Sequence, residues 1–132
     1  AHLYNYVGQP WRTQEIVDEV LHTLYFNNPD GLSGNEDCGQ MSAWYILNAM
    51  GFYQVCPGKP VYSIGRPLFN EATVHLKDGK SFKVIAHNNS RDNKYVRSIV
   101  LNGNKLETPF FTHQDIVDGG TLELTMGSEP LK

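Results

Sequence analysis

Three polar side chains, Asn35, Glu36 and Asp37, lie between Gly34 and Gly39, directly ahead of a nearly continuous apolar segment. A carboxylate at the start of a helix has its ionised form favoured by the helix dipole, which suits a general base that must stay deprotonated at neutral pH. Glycines on both sides permit the backbone to turn sharply or to approach a ligand. The loop is therefore a candidate catalytic site, with Asp37 as the base and Asn35 as a group that orients water or Asp37.

The same loop also has a purely structural interpretation. Asp37 and Gln40 have the spacing of a capping box, in which the carboxylate accepts hydrogen bonds from first-turn amides and the glutamine reaches back. The residues alone leave both interpretations open, because helix caps are common and catalytic carboxylates are rare. The rival function is a non-catalytic carbohydrate-binding or interaction module in which Asp37 is only a helix cap.

Two helices are predicted to position this loop. Residues 10–26 form an amphipathic helix whose apolar face consists of Val17, Val20, Leu21 and Leu24. Residues 38–50 form a second helix that is apolar on nearly every side and ends at Gly51. One amphipathic partner cannot cover all sides of such a helix, so we expect further helices outside this chain to cover it.

After Pro57 the apolar period changes from helical to two, which predicts strands. The predicted strands are residues 73–77, 80–85, 95–101, 105–106 and 121–126. Asp78-Gly79 and Asn102-Gly103 predict two-residue hairpin turns, because both pairs tolerate positive φ angles. We predict an α+β fold, with helices in residues 1–56 and an appended antiparallel β module in residues 57–132.

Composition excludes several classes of protein. A net charge of -3 over 132 residues does not support nucleic-acid binding, which needs a concentrated basic face. No apolar stretch reaches the roughly 20 residues that span a bilayer. Cys38 and Cys56 are separated by the length of a predicted helix, so we expect two free thiols rather than a disulfide.

Several motifs together resemble the C-terminal end of glycoside hydrolase family 92, the calcium-dependent exo-acting alpha-mannosidases. The most specific motif is GNEDCGQMSAWY at residues 34–45. The resemblance extends through residues 51–53, 57–58 and 65–69, begins near residues 2–6 and 8–11, and continues almost to Lys132. It thus covers essentially the whole chain.

The resemblance implies that the helical hairpin belongs to an (alpha/alpha)6 barrel whose C-terminal end carries the strands. It implies a bacterial enzyme, periplasmic or secreted, that releases mannose from alpha-mannosides such as alpha-1,2-linked N-glycan mannose. The reaction inverts the anomeric centre, with Asp37 matching the base and a glutamate before Ala1 acting as the acid. The isolated chain is then expected to be inactive. Calcium is implied as the cofactor, with most ligands outside this chain, and the partners are mannoside glycans and the missing N-terminal part.

Other candidate site residues have weaker support. Asn35 departs from family members that have aspartate at its position, which bears on linkage preference more than on reaction class. Glu36 and Gln40 are candidates for contacting a sugar hydroxyl, and Glu36 has solvent exposure as its alternative. His2 and Trp11 are candidates for lining a sugar pocket, with packing under the helical hairpin as the alternative for both.

Overall fold

A computed structural model describes all of residues 1–132. The α-helices are α1 (Pro10–Thr23), α2 (Gln40–Met50) and α3 (His113–Val117). The strands are β1 (Phe52–Tyr53), β2 (Val61–Ile64), β3 (Glu71–His75), β4 (Ser81–His87), β5 (Tyr95–Leu101), β6 (Asn104–Lys105), β7 (Phe110–Thr112) and β8 (Gly120–Gly127). Two 3-10 segments, His2–Val7 and Lys77–Gly79, complete the regular structure.

Both predicted helices are present, with shifted ends. Helix α1 begins at Pro10, whose missing amide costs nothing in the first turn, and it ends at Thr23. It stops short of residue 26 because Tyr25 forms an isolated antiparallel bridge with Leu32. Helix α2 begins two residues later than predicted and ends at Met50, and the φ of 106° at Gly51 confirms the left-handed residue that terminates it.

The strands form two sheets. A three-stranded sheet has the order β1-β2-β7, and a five-stranded sheet has the order β3-β4-β8-β5-β6. Every pairing is antiparallel except that of β4 with β8, which is parallel. The α+β fold is confirmed, whereas the expectation of a wholly antiparallel module is wrong for this one pair. The reason is topological, since β8 lies between two strands that run in opposite directions.

The two predicted turns have different outcomes. Asn102 and Gly103 have φ angles of 49° and 81° and join Leu101 to its partner Asn104, so this two-residue turn is confirmed. The first hairpin instead has a three-residue connection, Lys77–Gly79. Its register pairs Val74 with Phe82 and thereby places both apolar side chains on one face of the sheet. A two-residue turn would have paired Val74 with a lysine.

The hydrophobic core lies mainly on the five-stranded sheet and extends onto the small one. Phe82, Leu122 and Leu124 are fully buried, and Phe52 and Ile64 join the same cluster. Alternate residues of β8 are buried, as predicted. Because β1 pairs with β2, the residues before and after position 57 share a sheet.

Helix α2 is only partly covered. Asn48 and Ala49 are its buried residues, and Ile46 is 56% exposed. A helix with mainly apolar side chains thus presents uncovered apolar surface within this chain. Cys38 and Cys56 are free and exposed, as expected. None of the helices combines the length and apolar character needed to cross a membrane.

Candidate active site

The polar loop turns sharply just before α2. Asp37, Cys38 and Gly39 have φ angles of 55°, 58° and 91°, so three consecutive residues are left-handed. This backbone brings two carbonyl oxygens back onto the helix start: the Gln40 amide donates to the Asp37 carbonyl and the Met41 amide to the Glu36 carbonyl, both at 3.2 Å. The loop itself therefore satisfies the first two amides of the helix.

Glu36, rather than Asp37, caps α2 with its side chain. Its Oε1 accepts from the Ser42 amide at 3.0 Å and its Oε2 from the Ser42 hydroxyl at 2.9 Å. The capping-box interpretation of Asp37 and Gln40 is wrong, because Gly39 is the N-cap residue and no side chain at that position accepts a hydrogen bond. A capping residue normally has extended φ and ψ angles, and the left-handed Asp37 does not. The capping role of Glu36 also differs from its prediction, which was contact with a sugar hydroxyl or with solvent.

The Asp37 side chain is exposed and has no hydrogen-bond or ion-pair partner in the chain. Asn35 is likewise exposed, and no hydrogen bond joins it to Asp37. Gln40 is exposed and does not reach back over the loop. The structure therefore leaves the Asp37 carboxylate available to a group outside this chain.

A cleft of about 500 Å³ lies between the loop that follows α1 and the first half of α2. Its walls include Tyr25, Ser42, Tyr45 and Ile46. The Tyr25 hydroxyl donates to the Met41 carbonyl at 3.0 Å. Burial and then the charge of nearby Glu36 raise the pKa of Tyr25. Asp37 is not among the residues that line this cleft.

His2 lies inside the fold, with 3% of its surface exposed. Its Nδ1 is 2.9 Å from the Ser63 hydroxyl and its Nε2 is 2.7 Å from Asn48 Oδ1. Burial lowers the pKa of His2 to about 4, against the opposing effect of the Asn48 hydrogen bond. Both ring nitrogens are engaged within the chain, so the structure favours the packing alternative for His2. Trp11 is half-buried in the first turn of α1.

A polar cluster centred on the buried ion pair of Asp18 and Arg66 joins α1 to the segment after β2. Asp18 Oδ1 is 3.1 Å from Arg66 Nε, 3.3 Å from His22 Nδ1 and 3.5 Å from Arg91 Nη1. Arg66 is only 3% exposed, and it also donates to the carbonyls of Pro67 and Ser90. Burial lowers the pKa of Arg66, which the Asp18 carboxylate opposes.

Sequence reasoning missed this cluster, although a signal was present. Asp18 lies at the edge of the apolar face of α1, next to Val17, where a carboxylate is costly unless it has a partner.

The chain alone does not supply a calcium site. No three or more His, Cys, Asp or Glu side chains are grouped so that they could hold a metal ion. Calcium takes six to eight oxygen ligands, and exposed Asn35 and Asp37 on one loop do not make such a set.

The sequence matches the glycosyl hydrolase family 92 catalytic domain over residues 1–128. A family GH92 alpha-mannosidase of Bacteroides thetaiotaomicron is 43% identical, with a TM-score of 0.91, and is matched over 98% of this chain and 17% of its own. A family GH92 inverting mannosidase of the same organism is 48% identical, with a TM-score of 0.90, over 98% of this chain and 18% of its own. An uncharacterized secreted glycosidase of Arthroderma benhamiae is 30% identical over 130 residues, which are 96% of this chain and 17% of the relative.

The chain belongs to glycosyl hydrolase family 92, which confirms the resemblance seen in its motifs. It spans less than a fifth of the length of these three relatives.

Proposed function

We propose that this chain is the C-terminal part of an inverting alpha-mannosidase and that Asp37 is the general base. The proposal is supported by the two mannosidase structures whose folds this chain shares, one of them described as inverting. A further structure of the first of these mannosidases, 42% identical with a TM-score of 0.93, was obtained in complex with mannoimidazole. On this basis the substrate is a terminal alpha-linked mannose, with alpha-1,2-linked N-glycan mannose as one candidate.

The observation that carries the proposal is that two neighbouring carboxylates have different environments. Glu36 satisfies the helix start, whereas Asp37 has no partner within the chain. Asp37 is held on a left-handed backbone with its side chain exposed, directly after the residue that caps the helix. This arrangement disfavours the rival module in which Asp37 is only a cap.

In the proposed reaction Asp37 accepts a proton from a water molecule while the water oxygen attacks the anomeric carbon. The bond from that carbon to the glycosidic oxygen breaks, and its electron pair goes to the oxygen. The leaving oxygen takes a proton from a carboxylic acid on the opposite side of the sugar. Inverting glycosidases keep these two carboxyl groups roughly 6.5 to 9.5 Å apart to admit the water. We place the acid, a glutamate, in the part of the protein before Ala1.

The uncovered apolar surface of α2 fits the same proposal. Ile46 is 56% exposed, and Phe26, across the cleft from it, is 57% exposed. We propose that other helices of an (alpha/alpha)6 barrel, from the preceding part of the protein, cover this surface. Residues 57–132 would then be the strands appended to that barrel.

Calcium dependence and an extracellular or periplasmic setting are also proposed for the whole protein. The calcium proposal depends on the family, and its ligands would come mainly from outside this chain. The location is supported by the relative described as secreted.

The test is Asp37→Asn in the full-length protein. Asparagine keeps the shape of the side chain and tolerates a left-handed backbone, so the fold is expected to persist. Loss of a general base is expected to lower kcat by about 10²- to 10⁴-fold on an alpha-mannoside. Asp30→Asn is the matched control, since Asp30 is an exposed acid in the preceding loop and has no partner. Wild-type turnover by Asp37→Asn would overturn the proposal.

A further inference from the structure

We infer that Glu36 is a positioning residue, which holds the Asp37 loop against α2 without touching substrate. The inference rests on the proposed role of Asp37 as base. Its first support is the paired contact with Ser42: one carboxylate oxygen accepts from the backbone amide and the other from the hydroxyl. Two hydrogen bonds from one planar group to one residue fix orientation as well as distance.

The second support is the backbone that these contacts restrain. Left-handed φ angles are unfavourable for residues with a Cβ atom, and here Asp37 and Cys38 both have them in succession. Such a conformation persists only where the surrounding structure imposes it. Glu36 directly precedes this pair and α2 directly follows Gly39, so the Glu36–Ser42 contact closes a ring around the unfavourable residues.

The third support is the anchoring of the helix start on its other side. The Tyr25 hydroxyl donates to the Met41 carbonyl at 3.0 Å, and the Tyr25 ring is stacked on Trp44 with 5.9 Å between ring centroids. The first turn of α2 is therefore fixed to the loop that follows α1. Glu36 transmits this fixed position to Asp37, whose side chain has no partner within the chain.

The alternative role for Glu36 is a direct hydrogen bond to a sugar hydroxyl or a direct part in proton transfer. Both of its carboxylate oxygens are already accepting hydrogen bonds from Ser42, and the residue is half-buried whereas Asp37 is exposed. If Glu36 acts by positioning the loop, glutamine should replace it, whereas if Glu36 acts through its negative charge, glutamine should not. Glutamine can accept from the Ser42 amide through its oxygen and donate to the Ser42 hydroxyl through its nitrogen, so it keeps both contacts without the charge.

The experiment compares Glu36→Ala with Glu36→Gln in the full-length protein, using steady-state kinetics on an alpha-mannoside. Glu36→Ala is expected to lower kcat by about 100-fold with KM changed by less than about threefold, because a base displaced by about 1 Å loses rate rather than binding. Glu36→Gln is expected to restore kcat to within about threefold of wild type. Ser42→Ala removes only one of the two contacts and is expected to give an intermediate kcat; it carries the test if Glu36→Ala fails to fold.

A control variant separates positioning from general loss of stability. Thr112 caps α3, where its side chain accepts from the Asp115 amide. Thr112→Ala removes a comparable helix cap, and it is expected to lower the melting temperature without changing kcat.

Three outcomes would contradict the inference. Wild-type kcat in a folded Glu36→Ala variant would show that Asp37 needs no such support. Equal loss in Glu36→Gln and Glu36→Ala would assign Glu36 a role through its charge. Wild-type turnover by Asp37→Asn would remove the proposed base and this inference with it, whereas an inactive Asp37→Asn beside a fully active Glu36→Ala would refute only the positioning role.

Discussion

The buried His2 makes the stability of this fold depend on pH over a defined range. The geometry specifies one neutral tautomer: the Asn5 amide donates to the Ser63 hydroxyl, this hydroxyl donates to His2 Nδ1, and His2 Nε2–H donates to Asn48 Oδ1. A protonated ring would donate from both nitrogens. The Ser63 hydroxyl proton would then lose its acceptor in a site that excludes water.

The sign and size of the effect follow from the pKa values. In the fold the pKa of His2 is lowered from 6.5 to about 4. Between these values the unfolded chain binds more protons, so the free energy of unfolding is greatest above about pH 6.5 and falls as the pH falls toward 4. The full shift in the His2 pKa corresponds to about 3 kcal/mol of unfolding free energy, of which about 2 kcal/mol is lost by pH 5.

The assay is equilibrium unfolding in urea at several values between about pH 5 and pH 7.5, with the parent protein and the variants His2→Gln and His75→Gln. His2→Gln is expected to be less stable near pH 7.5 but to lose about 2 kcal/mol less than the parent on acidification, because it has no titrating ring. His75 is exposed on β3, and its variant is expected to parallel the parent. Parallel curves for His2→Gln and the parent would refute the reasoning.

Two further predictions concern the packing behind the candidate site. Asp18→Asn leaves the buried Arg66 guanidinium without a counter-ion and is expected to lower the free energy of unfolding by about 3 kcal/mol. Arg91→Gln changes a side chain that is 62% exposed and is expected to cost less than about 1 kcal/mol. Urea unfolding measures both variants, and equal losses would contradict the argument from burial. Gly31→Ala places a Cβ against the carbonyl oxygen of Phe26 and is expected to lower the free energy of unfolding by about 1 to 3 kcal/mol. Thermal unfolding measures the loss, and an unchanged melting temperature would show that the Phe26 backbone moves to admit the methyl group.

The features that sequence predicted best depend on local periodicity and turn chemistry. Apolar spacing located α1, α2 and β8, and the tolerance of Asn102-Gly103 for positive φ located the second hairpin turn. The first hairpin turn was wrong by one residue, because pairing Val74 with Phe82 in the core outweighed the local preference of Asp-Gly. Local signals thus identified the elements, and packing across the sheet decided their register.

The candidate site was predictable in composition but not in the roles of its residues. The loop sequence drew attention to Asp37, yet whether Asp37 or Glu36 capped α2 depended on backbone angles that no residue type specifies. The environment of His2 was beyond sequence reasoning for another reason. Its partners lie 46 and 61 residues away, and neither Asn48 nor Ser63 belongs to a recognisable pattern with it.

The position of β8 at the centre of the five-stranded sheet has a consequence for how the protein is made. The hairpins β3–β4 and β5–β6 are both synthesised before β8, yet β8 is the strand that joins them. Until residues 120–127 emerge, the hydrogen-bonding edges of β4 and β5 have no partner and can pair with other nascent chains. This part of the chain is therefore expected to need protection from aggregation until β8 has paired, and a chain cut short before β8 would leave two separate hairpins.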